Sequence, residues 1–437
     1  MKENQLITVL RLAKQVKTPF YAAFEEEILE NYNYFLRNLS SIEKWRIFYP
    51  IKTNSESGVL SCIRKLGMGA HVASSLDLLL ARENGFEYKD IIVDNLYNLR
   101  DSLNEIVSNK VHRIYCWSWD QIEHLNFLAK QKNKVLDVGI KLNPFPLHRD
   151  PLRRCLEKRA RESGFLFEEV ADSLSDKIKK LENLTLKSLS LYLDLPYPVS
   201  HKEYCVEIRN MFKLISGLKN KGLFIDELNI GGGFPCVRIE LIRQALHVGQ
   251  GHFFVKRKRK IREEGFLKSV VDCFLLESRK LDLSPVLCLE PGRSVVESSG
   301  IIVGRALEIS KRQIIVDITL DELGYCRNRN RKFHIFSGDK GTERKKINIC
   351  GIASYSRDVL FRSVKVTGVS CGDIIVIFNT GAYCIARSVR HFTPGKAVYF
   401  IDSSGKVFLN RKEETCEEFI KYRRHEPCGP NGLACRN

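Results

Sequence analysis

No run of apolar residues approaches a length of about 20, the span a bilayer demands, so no transmembrane helix is expected. Residues 1–17 carry only a short apolar patch, broken by Arg11 and Lys14 and followed by no small-residue cleavage site, so no secretory signal is expected either. Proline is scarce, 13 in 437 residues, which excludes an extended proline-rich or collagen-like chain. The 14 cysteines include no C-x-x-C pair, which argues against a structural zinc site. They read as small buried hydrophobes or free thiols, and a reducing, cytoplasmic setting is expected. Acidic residues are too few to balance the basic ones, 52 against 70, leaving a formal charge of +18. That charge fits nucleic acid, an anionic surface or an acidic protein. The densest basic run, Lys256 to Lys260, reads as a solvated helix face or loop, and no nucleic-acid function is built on it.

What is present is a globular composition, 44% apolar, long enough for a large core. Between residues 45 and 293, apolar β-rich runs alternate with segments whose apolar residues recur at three- and four-residue spacing. The runs are 46–52, 69–74, 90–95, 112–118, 136–143, 186–194, 225–234 and 286–293. Eight βα units predict an α/β fold, a closed (β/α)8 TIM barrel. Beyond about residue 296 short strands dominate, at 301–309, 313–320, 346–351, 373–379 and 396–402, and predict a C-terminal β domain. Residues 19–24 read as an extra strand of that domain, placed before the barrel begins. The expected units are thus 1–28, joining the β domain, a barrel over 29–294, the β domain over 295–411, and a charged, mobile tail over 412–437.

Barrel sites lie at the carboxyl ends of strands, with phosphates commonly held after the seventh and eighth. Lys52 ends the first run; Gly231, Gly232 and Gly233 end the seventh; Glu290 and Arg293 end the eighth. A lysine amine forms a Schiff base with an aldehyde, provided enough of it is kept neutral by burial. Glycines let backbone N–H groups approach a phosphate, and an arginine adds a permanently charged fork. A glutamate suits a protonated pyridine nitrogen. Each feature alone is ordinary: a surface lysine, a tight turn, a carboxylate at a helix start. Together they read as a site for pyridoxal 5'-phosphate.

Further segments follow in order: Thr18-Pro19-Phe20-Tyr21, Tyr49-Pro50-Ile51-Lys52-Thr53-Asn54, Gly69-Ala70-His71-Val72-Ala73-Ser74, Leu142-Asn143-Pro144, Asn229 to Pro235, Glu290-Pro291-Gly292-Arg293, Gly351 to Asp358, and Gly381-Ala382-Tyr383. In this order the chain resembles the fold-type III pyridoxal-phosphate decarboxylases, which include the diaminopimelate, ornithine and arginine decarboxylases. The resemblance covers nearly the whole chain. It implies an alanine-racemase-like barrel, Lys52 as the Schiff-base lysine, Gly231, Gly232, Gly233 and Arg293 as phosphate ligands, and Glu290 as partner of the pyridine nitrogen. It further implies Tyr383 as a phosphate contact, Asp358 in a segment reaching across a dimer interface, and a head-to-tail homodimer with shared sites acting on an amino acid.

The chain departs from the family at several points. Tyr192, within Ser190 to Leu195, stands where relatives place a stacking histidine and a phosphate-binding Gly-Ser. Ser354 replaces a proton-donating cysteine, and Tyr355 an acidic substrate contact. Lys141 replaces an arginine and His71 an acid. A decarboxylase using Ser354, Tyr355 or a water is the leading expectation. A catalytically silent homologue acting as a regulatory binding protein, and a pyridoxal-phosphate enzyme of altered reaction such as racemisation or decarboxylation-linked transamination, are the alternatives. Arg327, with Arg329 and Arg357, is a candidate to hold a distal substrate carboxylate. The basic charge also suits a substrate tethered to an acidic carrier protein.

Overall fold

The structure, a computed structural model, describes residues 3–143, 164–191, 193, 200–236, 243–248, 251–256, 265–324, 331–336 and 345–421. Strand β1, Phe20–Phe24, precedes the barrel strands β2 to β8: Trp45–Pro50, Gly69–Val72, Ile91–Val93, Arg113–Cys116, Leu136–Leu142, Leu184–Leu191 and Glu227–Asn229. A hairpin follows, β9 Arg243–Val248 with β10 Gly251–Lys256, and β11, Val286–Leu289, closes the barrel against β2. The barrel order β11-β2-β3-β4-β5-β6-β7-β8 is the parallel ring expected from the eight apolar runs.

Buried parallel strands need no polar face, which is why they read as continuous apolar runs. The helices between them are started by their own side chains. Ser74 accepts from the Asp77 amide (3.1 Å) while Asp77 accepts from the Ala73 amide (3.0 Å). Ser118 and Gln121 cap the helix after β5 in the same reciprocal way. Such capping fixes where each strand stops, and so where each strand-end side chain points.

The β domain contains β12 Gly300–Ile309, β13 Gln313–Val316, β14 Phe333–Phe336, β15 Lys345–Cys350, β16 Val359–Val366, β17 Ile374–Phe378, β18 Val398–Ile401 and β19 Val407–Arg411. Strand β1 sits inside this sheet, antiparallel to β12 and parallel to β18, as residues 19–24 predict. Strands β14, β16 and β19 are absent from the sequence reading. Among the described residues they pair on only one long side, and β16 and β19 carry charged or exposed side chains where a central strand would be apolar.

The amino-terminal apolar patch is an amphipathic helix, Glu3–Gln15, whose Val9, Leu12 and Ala13 pack against Phe20, Val303 and Val376 of the sheet. The second helix, Glu25–Leu39, crosses from β1 to the barrel and is pinned there by Asn31, which donates to the Val295 carbonyl (2.8 Å). A short helix, Cys416–Lys421, stands in the segment read as a mobile tail. Among the described residues no helix is long and apolar enough to cross a membrane.

Candidate active site

Seven strands of the ring deliver the site from their carboxyl ends. Strand β2 ends at Pro50 and runs into a single turn, Ile51–Thr53, in which Ile51 and Thr53 are buried and Lys52 is exposed at the barrel mouth. The turn directs its two neighbours inward and Lys52 into the open cleft. The loop after β17 closes one side of that cleft. Asn54 donates to the Gly381 carbonyl (2.9 Å), the Tyr383 amide donates to the Thr53 carbonyl (2.9 Å), and the Thr53 hydroxyl donates to the Tyr383 oxygen (3.3 Å).

Tyr383 takes the left-handed backbone, φ +60°, and the Arg293 and Arg387 guanidiniums stand over its ring at 5.0 and 5.1 Å. Gly381 permits this docking, since a Cβ there would overlap the Val296 carbonyl. Gly381→Ala is therefore expected to lower stability by about 1–3 kcal/mol through overpacking, a loss read directly in thermal unfolding. An unchanged melting temperature would show that the loop is free to move aside.

The glycine loop follows β8. Asn229 accepts from the Gly231 amide (2.9 Å), and the Glu290 amide donates to the Gly231 carbonyl (2.8 Å), which ties the loop to the end of β11. Gly231 and Gly233 sit at φ +67° and +88°, in the left-handed region that glycine alone enters without strain. Tyr204 donates to the Gly232 carbonyl from outside the barrel. Among the described residues the amides of Gly232 and Gly233 meet no protein acceptor, which leaves two N–H groups for an anion.

Glu290 is buried at the centre of the mouth. Its Oε1 accepts from Asn229 (2.7 Å), and its Oε2 lies 3.2 Å from Nδ1 of His71 on β3. The other imidazole nitrogen of His71 is 3.7 Å from Asp94, just past β4. Asp94 in turn holds the Lys141 ammonium of β6 (2.9 Å) and accepts from the Trp117 indole, over whose ring Lys141 stands at 4.4 Å. Burial alone would discharge His71, but Glu290 and Asp94 outweigh it and push the imidazole up to about 9. Burial likewise opposes charge on Asp94 and Glu290, yet Lys141 and His71 hold Asp94 far below the usual carboxylate range, and His71 holds Glu290 below it.

A histidine raised from about 6.5 to about 9 stabilises the fold fully below its unfolded value, and that contribution is lost as pH rises through about 9. The difference in melting temperature between the cofactor-free protein and His71→Asn is thus expected to be widest near pH 6 and to shrink above pH 9. A difference that grows with pH would contradict the assigned pairing.

Beneath this layer Glu227 gathers Tyr115 (2.9 Å), Ser188 (3.0 Å) and His112 (2.6 Å), a satisfied polar floor. Asn229 joins floor to mouth by also donating to the Tyr115 hydroxyl (3.2 Å). Sequence reasoning missed Asn229, Asp94, Thr53 and Arg387. Asn229 and Thr53 lie inside motifs already singled out, whereas Asp94 and Arg387 leave no local signal.

This donor set fits pyridoxal phosphate: an amine at Lys52, a carboxylate held charged at Glu290, and free amides beside Arg293. The family model for the pyridoxal-dependent decarboxylases, pyridoxal binding domain, matches residues 25–297, more than half of the chain. The chain belongs to this family. Pyridoxal phosphate is its cofactor and its activity is that of an amino-acid carboxy-lyase.

Similar proteins include the diaminopimelate decarboxylase of Methanocaldococcus jannaschii, 24% identical over 94% of this chain and 92% of that one. The L-glutamyl-[BtrI acyl-carrier protein] decarboxylase of Niallia circulans is 22% identical, over 94% and 95%. The crystal structure of the M. jannaschii enzyme in complex with L-lysine superposes with a TM-score of 0.80 at 21% identity, covering 96% of this chain and 95% of that one.

Not every candidate residue meets at the mouth. Asp358 is buried within the β domain, where it accepts from the amides of Leu320 (2.7 Å) and Ala353 (2.8 Å); it pins a loop and offers no free carboxylate. Tyr355 donates to Asp321 (3.1 Å) and packs on Phe392, and Ser354 is exposed on the same turn. Tyr192 and Arg327, like Arg329 and Lys258, lie outside the described residues.

Proposed function

We propose that this decarboxylase works through Lys52 as the cofactor lysine, Gly232, Gly233, Arg293 and Tyr383 as the phosphate end, and Glu290 as the ring-nitrogen end. The observation that carries the assignment is the convergence of strand ends on one mouth, where β2, leading to Lys52, lies between β11, leading to Glu290, and β3, bearing His71, and the glycine loop follows β8 on the other side of β11. Bound pyridoxal phosphate supplies a ring that accepts the electron pair left as carbon dioxide departs. The chain's own residues orient that ring, keep a carboxylate charged at its nitrogen, and hold the Lys52 turn against Tyr383.

The proton that replaces carbon dioxide is assigned to Ser354 or a water it orders, reached from the β domain of a second copy in a homodimer. The turn 352–357 supports this reading, because Ser354, Ser356 and Arg357 are exposed in the single chain. Ser354→Ala is expected to retain cofactor while losing clean amine formation, measured by product analysis against carbon dioxide release. Unchanged turnover and product would remove Ser354 from the reaction.

Tyr355 in place of an acid speaks against a distal amine as the recognised group, and Arg357 nearby suits a distal carboxylate. An acidic carrier bearing the substrate is supported by the charge of +18 and by the name of the Niallia circulans relative. Activity on the free amino acid, insensitive to added carrier and to ionic strength, would count against the carrier. The described cysteines are all free, which supports a reducing cytoplasm. The units proposed are residues 29–294 for the barrel and 295–411, joined by 1–28, for the β domain.

A further inference from the structure

Histidine 71 occupies a position no cofactor contact explains. It is 5% exposed, wedged between two carboxylates, with Glu290 Oε2 3.2 Å from one ring nitrogen and Asp94 Oδ2 3.7 Å from the other. Among the described residues the charged groups around it are three. Glu290 follows β11, Asp94 follows β4, and Lys141 on β6 reaches Asp94 at 2.9 Å. Cys116 on β5 lies near Asp94 but is kept a neutral thiol by burial. With His71 protonated, these four described groups are two carboxylates facing two cations and carry no net charge.

A pyridinium placed on Glu290 adds a third cation to that chain. Uncompensated buried charge is strongly unfavourable, and the site relieves it most cheaply by discharging the weakest acid-base partner it can. Lys141 is locked by Asp94 and by the Trp117 ring, and an ammonium gives up its proton reluctantly. Histidine, whose ordinary titration lies near neutrality, is the group able to do so.

We propose that His71 and the cofactor's ring nitrogen are alternative cations on Glu290, so that loading the cofactor with a protonated ring converts His71 from imidazolium to neutral imidazole. This rests on the cofactor reading given above. The N–H bond that breaks is on His71; its proton goes to the ring nitrogen when the ring arrives unprotonated, and to solvent when the ring arrives protonated. No electrons leave the site. His71 is then a positioning residue: it holds Glu290 charged in the empty enzyme and withdraws its charge when the ring takes over.

The test is nitrogen-15 NMR of histidine-labelled full-length protein near pH 7, with the His71 signals assigned by their loss in His71→Asn. Occupancy is followed separately by the visible absorbance of bound pyridoxal phosphate. Two protonated ring nitrogens in the empty protein, one in the loaded protein, and two again with an analogue carrying carbon in place of the ring nitrogen are expected. Uptake of pyridoxal phosphate with His71 unchanged, or the same loss of a proton with the carbon analogue, overturns the proposal while leaving the cofactor site intact. Absence of any uptake overturns both.

Discussion

Replacing Lys52 by alanine should lower decarboxylation by at least about a thousandfold, the scale on which removal of a covalent catalytic group is felt. The reason is positional. Lys52 is the only residue of its turn that faces the cleft, since Ile51 and Thr53 are buried on either side. Nothing adjacent can substitute for its amine, and Tyr383 and Asn54, which hold the turn in place, carry no nucleophile suited to an aldehyde. The fold should survive, because an exposed side chain is removed and the backbone bond from Tyr383 to Thr53 remains. Retained secondary structure and melting temperature alongside lost turnover separates this outcome from unfolding. A variant with more than a tenth of wild-type activity would place the cofactor lysine elsewhere.

Glu290→Gln should cost about a hundred- to a thousandfold in kcat while the cofactor is still taken up, as expected when one preorganised electrostatic contact to the reacting system is lost. The amide keeps the bond from Asn229 but loses the charge that a ring nitrogen needs. It also leaves His71 with Asp94 alone, so the imidazole gives up its proton at a lower pH than in the wild type. Steady-state kinetics with the visible spectrum of the bound cofactor check both halves. Full activity in Glu290→Gln would mean that the ring needs no anionic partner here, and the mouth would have to be read with another orientation of the cofactor.

The strands were legible because a parallel barrel buries both faces of each strand, and the segments from Trp45 to Leu289 therefore show as apolar runs between helical patterns. That Lys52, Gly231 to Gly233, Glu290 and Arg293 stand just past strand ends was legible for a related reason: each follows the last apolar residues of its run. What escaped reading is how such residues pair, which depends on closure of the ring. His71, Asp94 and Lys141 come from three strands far apart in sequence, and only the curvature of the barrel sets which carboxylate faces which cation. The same holds for Thr53 and Tyr383, 330 residues apart and joined by a hydroxyl contact. Asp358 entered through the family resemblance alone, and the two backbone amides it accepts from within its own chain have no trace in the sequence.

The central claim is that pyridoxal phosphate is held on Lys52, and its most direct measurement is borohydride reduction of the loaded protein followed by mass analysis of its peptides. A reduced adduct on the peptide containing Lys52, missing from Lys52→Ala, is the result expected. No adduct, or an adduct on another lysine that persists in Lys52→Ala, would contradict the account.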